Sequence, residues 1–558
     1  MDQADIKKTM AGLAKDIDAI VDPHVASVQK TLLNLVEVLV EANASLKKLN
    51  QSLKDENNRL KGEQGQPTIR PQKKGGATDT NISSDADRKK RGEKKPRKKK
   101  GKKKQEIKID KHIVCEIDKT ILPPDAEYKG METRVIQDLN ISTNNIEFSV
   151  PVYYSPSLKK TFLASLPEGY QGEFGPGIRS LVITLYRDSG MTQPAIRRLL
   201  KTFNIRISKS TISRMLTDKH DVFHQEKEDI IDAGLKATPY QHIDDTGSRV
   251  NGINHYTHIL CNPFFTAFFT QPKKDRLTLL GILCRSALSF EFNPETYALM
   301  AEFGLPKKVL DELKTKASVG VMTRDEIELL LEGMFPKPKK HKTNRRVIRE
   351  ASALIYYKNS EHAIEYLMCD DAPQFNLIAK YKSLCWVHEG RHYKKLSPFL
   401  FLHQKAVADF LEKFWDYYQK LIEYKKAPFA DAAVQLSEEF DALFSIKTGY
   451  DALDNRIEKT RAKKKTLLLV LSHPFLPIHN NPAELGARFQ ARIRDINLQT
   501  ISESGTKAKD TFATIVLTAR KLGVNIYQYI YDRVTKKFEM PSLANLITMN
   551  AKMVLESG

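Results

Sequence analysis

Three acidic positions in the sequence stand where side chains from separate elements can converge. Asp244 lies in the β-like run YQHIDD, Asp370-Asp371 follow the run IEYLMC, and Glu484 lies in HNNPAELGARFQARI at the predicted start of a helix. Carboxylates are hard oxygen ligands, and a pair of Mg²⁺ ions about 3.5–4 Å apart needs them from different elements. The residue types are therefore those of a divalent-metal site for phosphate chemistry.

Strand and turn signals predict the elements that hold these carboxylates. The Asn-Gly pair at 251–252 and the Asn-Pro pair at 262–263 predict a three-strand meander whose first strand ends at 244–245. Residues 383–388 read as a further strand. Asn481 suits the N-cap of the late helix, because Pro follows it at the first helical position.

Each carboxylate also has a purely structural interpretation. Asp244 and Asp371 can simply end strands in polar turns. Glu484 can complete a capping box, or pair with Arg488 four residues on. Spacing alone leaves both interpretations open.

Positive charge is unevenly distributed along the 558 residues. The net charge is +21, and residues 88–104 carry 13 Lys and Arg against Glu93, a net +12. A basic excess indicates a polyanionic partner such as nucleic acid. A second basic run at 337–349 either contacts DNA or is a solvated face. Because no long apolar run or signal-peptide pattern is found, we expect no membrane contact and a cytoplasmic location.

Leucines recur at every seventh position near the N-terminus. This a/d heptad pattern predicts a coiled coil over 1–61 that joins protomers into a homo-oligomer. The alternative is one amphipathic helix packed on its own domain. Residues 62–112, rich in Gly, Pro and like charges, predict a disordered basic linker. The heptad positions are Leu32, Leu39, Leu46, Leu53 and Leu60, with Leu35, Ala42, Leu49 and Glu56 between them.

Two small units are predicted before the carboxylates. Residues 113–172 alternate short apolar stretches with Pro and Gly, which is typical of a β-rich module. Residues 173–235 contain three helical patterns with a Gly-containing break, which favours a helix-turn-helix, although an ordinary helical subdomain has the same pattern. The side chains that would face a DNA major groove are Lys209, Ser210, Thr211, Ser213 and Arg214.

Seven motifs resemble, in the same order, those of the transposases of the insertion-sequence-66 group (TnpC-type). They are DENNRLKGEQGQPTIRP, LPPDAEYKG, YYSPSLKKTFLASLPEGYQGEFGPGIRSLVITLYRDSGM, IDDTGSRVNGINHY, CDDAPQF, LCWVHEGRHYKKL and HNNPAELGAR. The resemblance covers nearly the whole chain from about residue 50. It implies an α/β fold, with a ribonuclease H-like catalytic domain of the DDE type over 236–500. That domain would contain a helical insertion at about 389–475 and precede a helical C-terminal segment, 501–558.

The resemblance also implies roles for individual residues. His388 and Arg391 would contact the scissile or transferred phosphate, although His388 can equally be a structural histidine beside a core Trp386. The family's paired cysteines are missing, since Cys115 stands alone, and no zinc is predicted. The residues expected to hold Mg²⁺, or Mn²⁺ in its place, are Asp244, Asp370 and Glu484, with Asp371 as the alternative to Asp370.

A bacterial DNA transposase is the function that the resemblance implies. Its substrates would be double-stranded DNA, both the terminal repeats of an insertion sequence and the target, with helper proteins as further candidate partners. One active site would carry out donor cleavage and strand transfer. The alternative is a non-catalytic coiled-coil DNA-binding regulator, such as an inactivated transposase, which gives no reason for the three carboxylates.

Overall fold

The computed structural model describes residues 9–10, 22–60, 109–115, 123, 130–139, 141–170, 172–317 and 319–557. Nearly all of the predicted basic linker lies outside the described residues. In the described part, no helix is both long enough and apolar enough to cross a membrane. Helices predominate and surround a mixed five-stranded sheet, so the predicted α/β class is confirmed.

The N-terminal part contains one long helix and an isolated hairpin. Helix α1 spans Pro23–Leu60. Strands β1 (Val152–Ser155) and β2 (Lys160–Leu163) pair antiparallel and are largely exposed on both faces. They are the only strands among the described residues of the predicted β-rich module.

A cluster of four helices follows the hairpin. Thr192 caps the second helix by accepting a hydrogen bond from the Ala195 amide, and Ser208 caps the third through the Thr211 amide. Ile196 and Ile212 are fully buried where these helices pack on the first. The helices are α2 (Pro176–Arg187), α3 (Gln193–Thr202), α4 (Lys209–Thr217) and α5 (Asp221–Lys236).

The strands of the meander come next in the chain. They are β3 (Tyr240–Val250), β4 (Ile253–Cys261) and β5 (Thr266–Gln271), joined antiparallel. The prediction that the first strand ends at 244–245 is wrong. Strand β3 continues past Asp244, because its ladder with β4 extends to the pair Val250 and Ile253. The hairpin turn lies at Asn251 and Gly252, whose positive φ angles of 47° and 76° suit a tight two-residue loop.

A subdomain that sequence reasoning did not predict separates β5 from the next strand of the main sheet. Its short strands β6 and β7 pair antiparallel, and its helices bury Leu313, Ile327 and Ile348. The elements are α6 (Arg276–Leu283), β6 (Phe290–Phe292), α7 (Pro294–Glu302), α8 (Lys307–Lys316), β7 (Gly320–Met322), α9 (Arg324–Met334) and α10 (Lys342–Lys358).

Strands β8 (Tyr366–Cys369) and β9 (Tyr381–Leu384) complete the main sheet, whose order is β5-β4-β3-β8-β9. Strand β8 runs parallel to both β3 and β9. The predicted strand over 383–388 is wrong beyond Leu384. There the Cys385 sulfur accepts a hydrogen bond from the His388 amide, so that a helix begins at Trp386.

Helices alone follow β9 in the described residues. The first six have their own apolar core, in which Trp386, Phe414 and Tyr418 are fully buried. They are α11 (Trp386–Lys394), α12 (Phe401–Lys426), α13 (Ala430–Leu443), α14 (Asp451–Arg461), α15 (Lys464–Leu467) and α16 (Leu469–Ser472). The last four are α17 (Asn481–Asn497), α18 (Glu503–Lys521), α19 (Ile526–Val534) and α20 (Leu543–Ser557).

Helix α18 covers the open edge of the sheet at β5. The amides of residues 266, 268 and 270 point away from β4, and each donates to a side chain of α18. The acceptors are Thr518, Thr514 and Asp510, which lie on one face because they are spaced by four residues. An edge strand that would otherwise expose unpaired amides is thereby satisfied.

The imidazole of His220 is buried between the four-helix cluster and α18, with its ring 4.9 Å from that of Phe512. Burial, with the nearby cations Arg179 and Arg187, lowers the pKa of His220 to about 3. In the unfolded chain the pKa of histidine is about 6.5, so between those values only the unfolded state binds this proton. His220 therefore contributes stability that is present at neutral pH and is lost as pH falls below about 6.5.

We expect His220→Phe to weaken the acid sensitivity of folding. Between pH 6 and 4, the free energy of unfolding in urea should decline less steeply than in the wild type, by up to about 1.4 kcal/mol per pH unit. The control is His112→Phe, at an exposed position. An equal dependence of the free energy of unfolding on pH in the wild type and in His220→Phe would contradict the prediction.

Candidate active site

The parallel pairing of β3 with β8 sets the first two carboxylates side by side. His242 lies opposite Met368 in this register. Asp244 and Asp370 each come two residues after that pair, at the same level of the sheet. The Ala372 amide donates to Asp370 Oδ1 at 3.0 Å, which fixes this carboxylate at the strand end.

Helix α17 brings the third carboxylate to the sheet. Glu484 lies in its first turn, and the helix packs across β3 and β4. Gly486 permits this approach, since a Cβ there would lie 2.8 Å from Ile259 Cγ2. The side chain of Glu484 is 16% exposed, so it lies in a partly desolvated environment.

The electrostatic environment of Asp244 includes the two other predicted carboxylates. Burial raises the pKa of Asp244 to about 8, and repulsion by Asp370, Glu484 and Asp245 adds to the rise. The Asp245 amide, 2.8 Å from Asp244 Oδ1, acts in the opposite direction. Carboxylates from the end of β8 and from α17 therefore lie near enough to Asp244 to disfavour its charged form.

Asp371 faces away from this cluster. It forms ion pairs with Lys463 at 2.8 Å and Lys382 at 3.4 Å. Burial alone would raise the pKa of Asp371, but the two ammonium groups hold it below its usual value. Asp370, and not its neighbour, is thus the residue directed toward Asp244.

Helix α11 supplies a cation and a histidine to the same site. Arg391 forms an ion pair with Glu484, and that pairing raises the pKa of Arg391 despite its burial. Burial lowers the pKa of His388, while Asp370 and Glu484 oppose the shift. The two residues predicted to contact phosphate therefore lie beside the carboxylates.

Asn480 is a positioning residue that sequence reasoning missed. Its buried side chain donates to the Ile243 carbonyl at 2.7 Å and pairs with His242 Nδ1 at 3.0 Å. The backbone amide of Asn480 donates to Cys385 Sγ at 3.1 Å, so Asn480 connects β3, α11 and α17. The Asn doublet before Pro482 was the available signal, but the N-cap is Asn480, one residue earlier than predicted.

Glu389 anchors α11 to α14. This buried carboxylate pairs with Arg456 and with Lys463 at 3.3 Å, and it accepts from Thr460 at 2.6 Å. Lys463 also holds Asp371, so one ammonium group connects the helical segment to the end of β8. Part of the basic charge of α14 is therefore used inside the protein.

A divalent cation suits the chemistry of this donor set. As arranged, the described residues contain no group of three His, Cys, Asp or Glu side chains at metal-holding distances. Glu484 pairs with Arg391 in this arrangement. Burial raises the pKa of Asp244 and repulsion by the other carboxylates adds to the rise, and a bound cation would relieve that repulsion.

The side chains predicted to face DNA lie on α4. Ser208 starts this helix, and Ile212 and Leu216 bury its inner face. A groove of about 430 Å³ beside the helix is lined by Arg179 and Arg214 among others. Lys209, Ser210 and Arg214 are exposed, while Thr211 and Ser213 are half-buried.

Comparison with known proteins gives one relative and no family. No family model matches the chain. The chain is similar to the uncharacterized protein y4jO of Sinorhizobium fredii (strain NBRC 101917 / NGR234), with 29% identity over 322 residues. The matched region is 54% of this chain and 94% of that protein. An uncharacterized relative assigns no activity to this chain.

Loss of the Asn480 side chain should destabilise the protein. Asn480→Ala leaves the Ile243 carbonyl and His242 without their buried partner, so we expect the free energy of unfolding to fall by about 2–4 kcal/mol. Urea denaturation measures this. Asn481→Ala, at the half-buried next position, should cost less than about 0.5 kcal/mol. Similar losses for both variants would show that Asn480 has no special structural role.

Proposed function

We propose that this protein is a DDE-type DNA transposase, resembling those of the insertion-sequence-66 group, that cleaves DNA and transfers strands. The observation that supports the proposal is that Asp370 and Glu484, from two other elements, lie near enough to Asp244 to disfavour its charge. A structural role for each carboxylate would not require them to repel one another. Concentrated negative charge costs stability, so it indicates a function.

The arrangement of elements supports a ribonuclease H-like core. The first carboxylate lies on the central strand β3, the second follows the adjacent parallel strand β8, and the third is on a helix that covers the sheet. Helices with their own core separate β9 from α17, where the resemblance implies a helical insertion. The subdomain between β5 and β8 is an addition to that scheme.

The carboxylates would hold Mg²⁺, or Mn²⁺ in its place, which when bound polarises phosphate oxygens and activates water or a DNA 3′-hydroxyl. Arg391 would donate to a phosphate oxygen of the DNA, because a guanidinium matches phosphate geometry. His388 would lie beside that phosphate as a hydrogen-bond partner. Asn480 and Gly486 would hold Glu484 in place.

Sequence recognition would use the exposed face of α4. Lys209, Ser210 and Arg214 project from it, while Thr211 and Ser213 lie along its margin. A helix of this kind can enter the major groove of double-stranded DNA and read base edges. The basic tract at 88–104 would add affinity without sequence preference.

Self-association through α1 would bring two DNA ends together. The a/d leucines Leu39 and Leu46 are 66% and 63% exposed. The opposite face of the helix is already in use, because Asn34 donates to the Gly449 carbonyl and Glu37 pairs with His403. A helix that docks on its own chain through one face still offers its leucines to a second copy.

Removing any one site carboxylate should abolish catalysis. We expect Asp244→Asn, Asp370→Asn and Glu484→Gln each to lower Mg²⁺-dependent strand transfer by roughly 10³-fold or more. The assay is joining of a labelled terminal-repeat duplex to plasmid DNA, with DNA binding measured in parallel. Retained activity in all three folded variants would overturn the proposal.

Asp371→Asn is the matched control for these variants. It makes the same chemical change one residue away, at a carboxylate that faces Lys463 and Lys382. We expect strand transfer to fall by less than about tenfold, because the two ion pairs that are lost belong to a half-exposed group. A wild type that binds DNA but neither cleaves nor joins it would favour the non-catalytic regulator.

Charges in the leucine seam should separate protomers. We expect Leu39→Asp with Leu46→Asp to convert an oligomer to a monomer, because burying two carboxylates in a coiled-coil core is unfavourable. Light scattering coupled to size-exclusion chromatography measures the mass. Asn43→Asp with Gln51→Asp adds the same charge outside the seam and should leave the mass unchanged. A monomeric wild type would refute self-association.

A further inference from the structure

The start of α10 and the segment just before it carry several cations without acidic partners. Between Phe335 and Arg349 the sequence contains no Asp or Glu. We call five of its cations the basic stripe, and in the described part of the chain no carboxylate forms an ion pair with any of them. All five side chains are exposed: Lys337, Lys339, Lys340, Lys342 and Arg346.

The same run contains two arginines that behave differently. Arg345 is buried and donates to the carbonyls of Leu331 and Phe335, as well as to Glu328. Arg349 also pairs with Glu328. These arginines attach α10 to α9, so structural needs account for them. No such need accounts for the cations of the basic stripe.

The basic stripe leads toward the carboxylate site. Lys342, Arg346 and Glu350 are spaced by four residues, so they lie along one face of α10. Glu350 pairs with Arg276, and Arg346 lies close enough to Arg276 to lower its pKa in addition to the effect of burial. Arg276 in turn donates to the Pro373 carbonyl at 3.1 Å, three residues after Asp370.

DNA is the partner that this geometry fits. From residue 342 to residue 350 the helix rises by about 12 Å. That length corresponds to three or four base pairs at about 3.4 Å each. A duplex whose reacting phosphate lies at Asp370 would therefore place flanking phosphates along the basic stripe. Exposed, unpaired cations in a row contact a phosphate backbone without reading its sequence.

We propose that the basic stripe is a second DNA-contact surface, separate from α4, which holds the duplex flanking the reacting phosphate. This inference rests on the proposed function, since it takes DNA as the substrate of the carboxylate site. It adds the face of the protein along which that DNA runs. It also gives the unpredicted subdomain a role, because α10 belongs to it.

The test compares two triple variants of the full chain. Lys340→Ala/Lys342→Ala/Arg346→Ala removes three stripe charges, and Lys307→Ala/Lys308→Ala/Lys314→Ala removes three exposed charges from α8. Fluorescence anisotropy measures binding to a 30-base-pair duplex of arbitrary sequence between 50 and 300 mM KCl. Each lost phosphate contact should make the salt dependence shallower, reducing the magnitude of the slope of log K against log salt by about 0.9.

We expect the stripe variant to lose about two to three units of slope, and the α8 variant less than one. In strand transfer, the stripe variant should need roughly tenfold or more additional DNA for half-maximal rate. At saturating DNA its rate should stay within about threefold of wild type, because no stripe residue touches the reacting atoms.

The outcomes separate this inference from the proposed function. If the two variants had equal slopes of log K against log salt while the wild-type protein carried out strand transfer, the basic stripe would be overturned and the transposase proposal would stand. A stripe-dependent slope in a protein that never joins DNA would support the surface and overturn the transposase. If the α8 variant lost as much slope as the stripe variant, the effect would be one of net charge and the inference would fail.

Discussion

Repulsion among three carboxylates is the constraint around which the central part of this protein is arranged. Burial raises the pKa of Asp244, and repulsion by Asp370 and Glu484 adds to the rise. Such a cluster is unfavourable unless cations and hydrogen-bond donors compensate for it. Arg391 supplies one of these cations through its pairing with Glu484. Under the proposed function, this ion pair would be exchanged for contacts of Glu484 with the metal and of Arg391 with a DNA phosphate.

Buried polar contacts, more than apolar packing alone, hold the three carboxylate-bearing elements together. Asn480 joins the strand before Asp244 to the helix that carries Glu484, and both of its partners are internal. Glu389 and Lys463 likewise tie the helical segment to Asp371, next to the second carboxylate. Removing Asn480 or Glu389 is costly, because each would leave a buried polar partner unsatisfied. The geometry of the site therefore depends on residues that do not themselves react.

Local signals in the sequence predicted the elements better than their extents. The Asn251-Gly252 turn, the end of β8 before Asp370 and the helix after Pro482 follow from backbone preferences of a few residues. The continuation of β3 past Asp244 depends on its pairing with β4, which no local signal reports. The subdomain at 276–358 was missed for the same reason, since its short elements are stabilised by contacts distant in sequence. The carboxylates themselves were found by residue type and resemblance, and their convergence needed the fold.

The net charge of +21 does not by itself show which cations are available to a polyanion. Cations that form ion pairs inside the fold must first be separated from those that are exposed and unpaired. Arg345 and Arg346 are adjacent, yet the first is buried on Glu328 and the second is exposed and unpaired among the described residues. Cations such as Arg345, Arg456 and Lys463 neutralise acidic groups inside the fold and are unavailable to a polyanion. The cations left over on α10 and α4 point outward from folded surfaces, so they can fix where a duplex lies. Under the proposed function, these surface cations would set the position of a duplex, while the basic tract at 88–104 would add affinity through its charge without sequence preference.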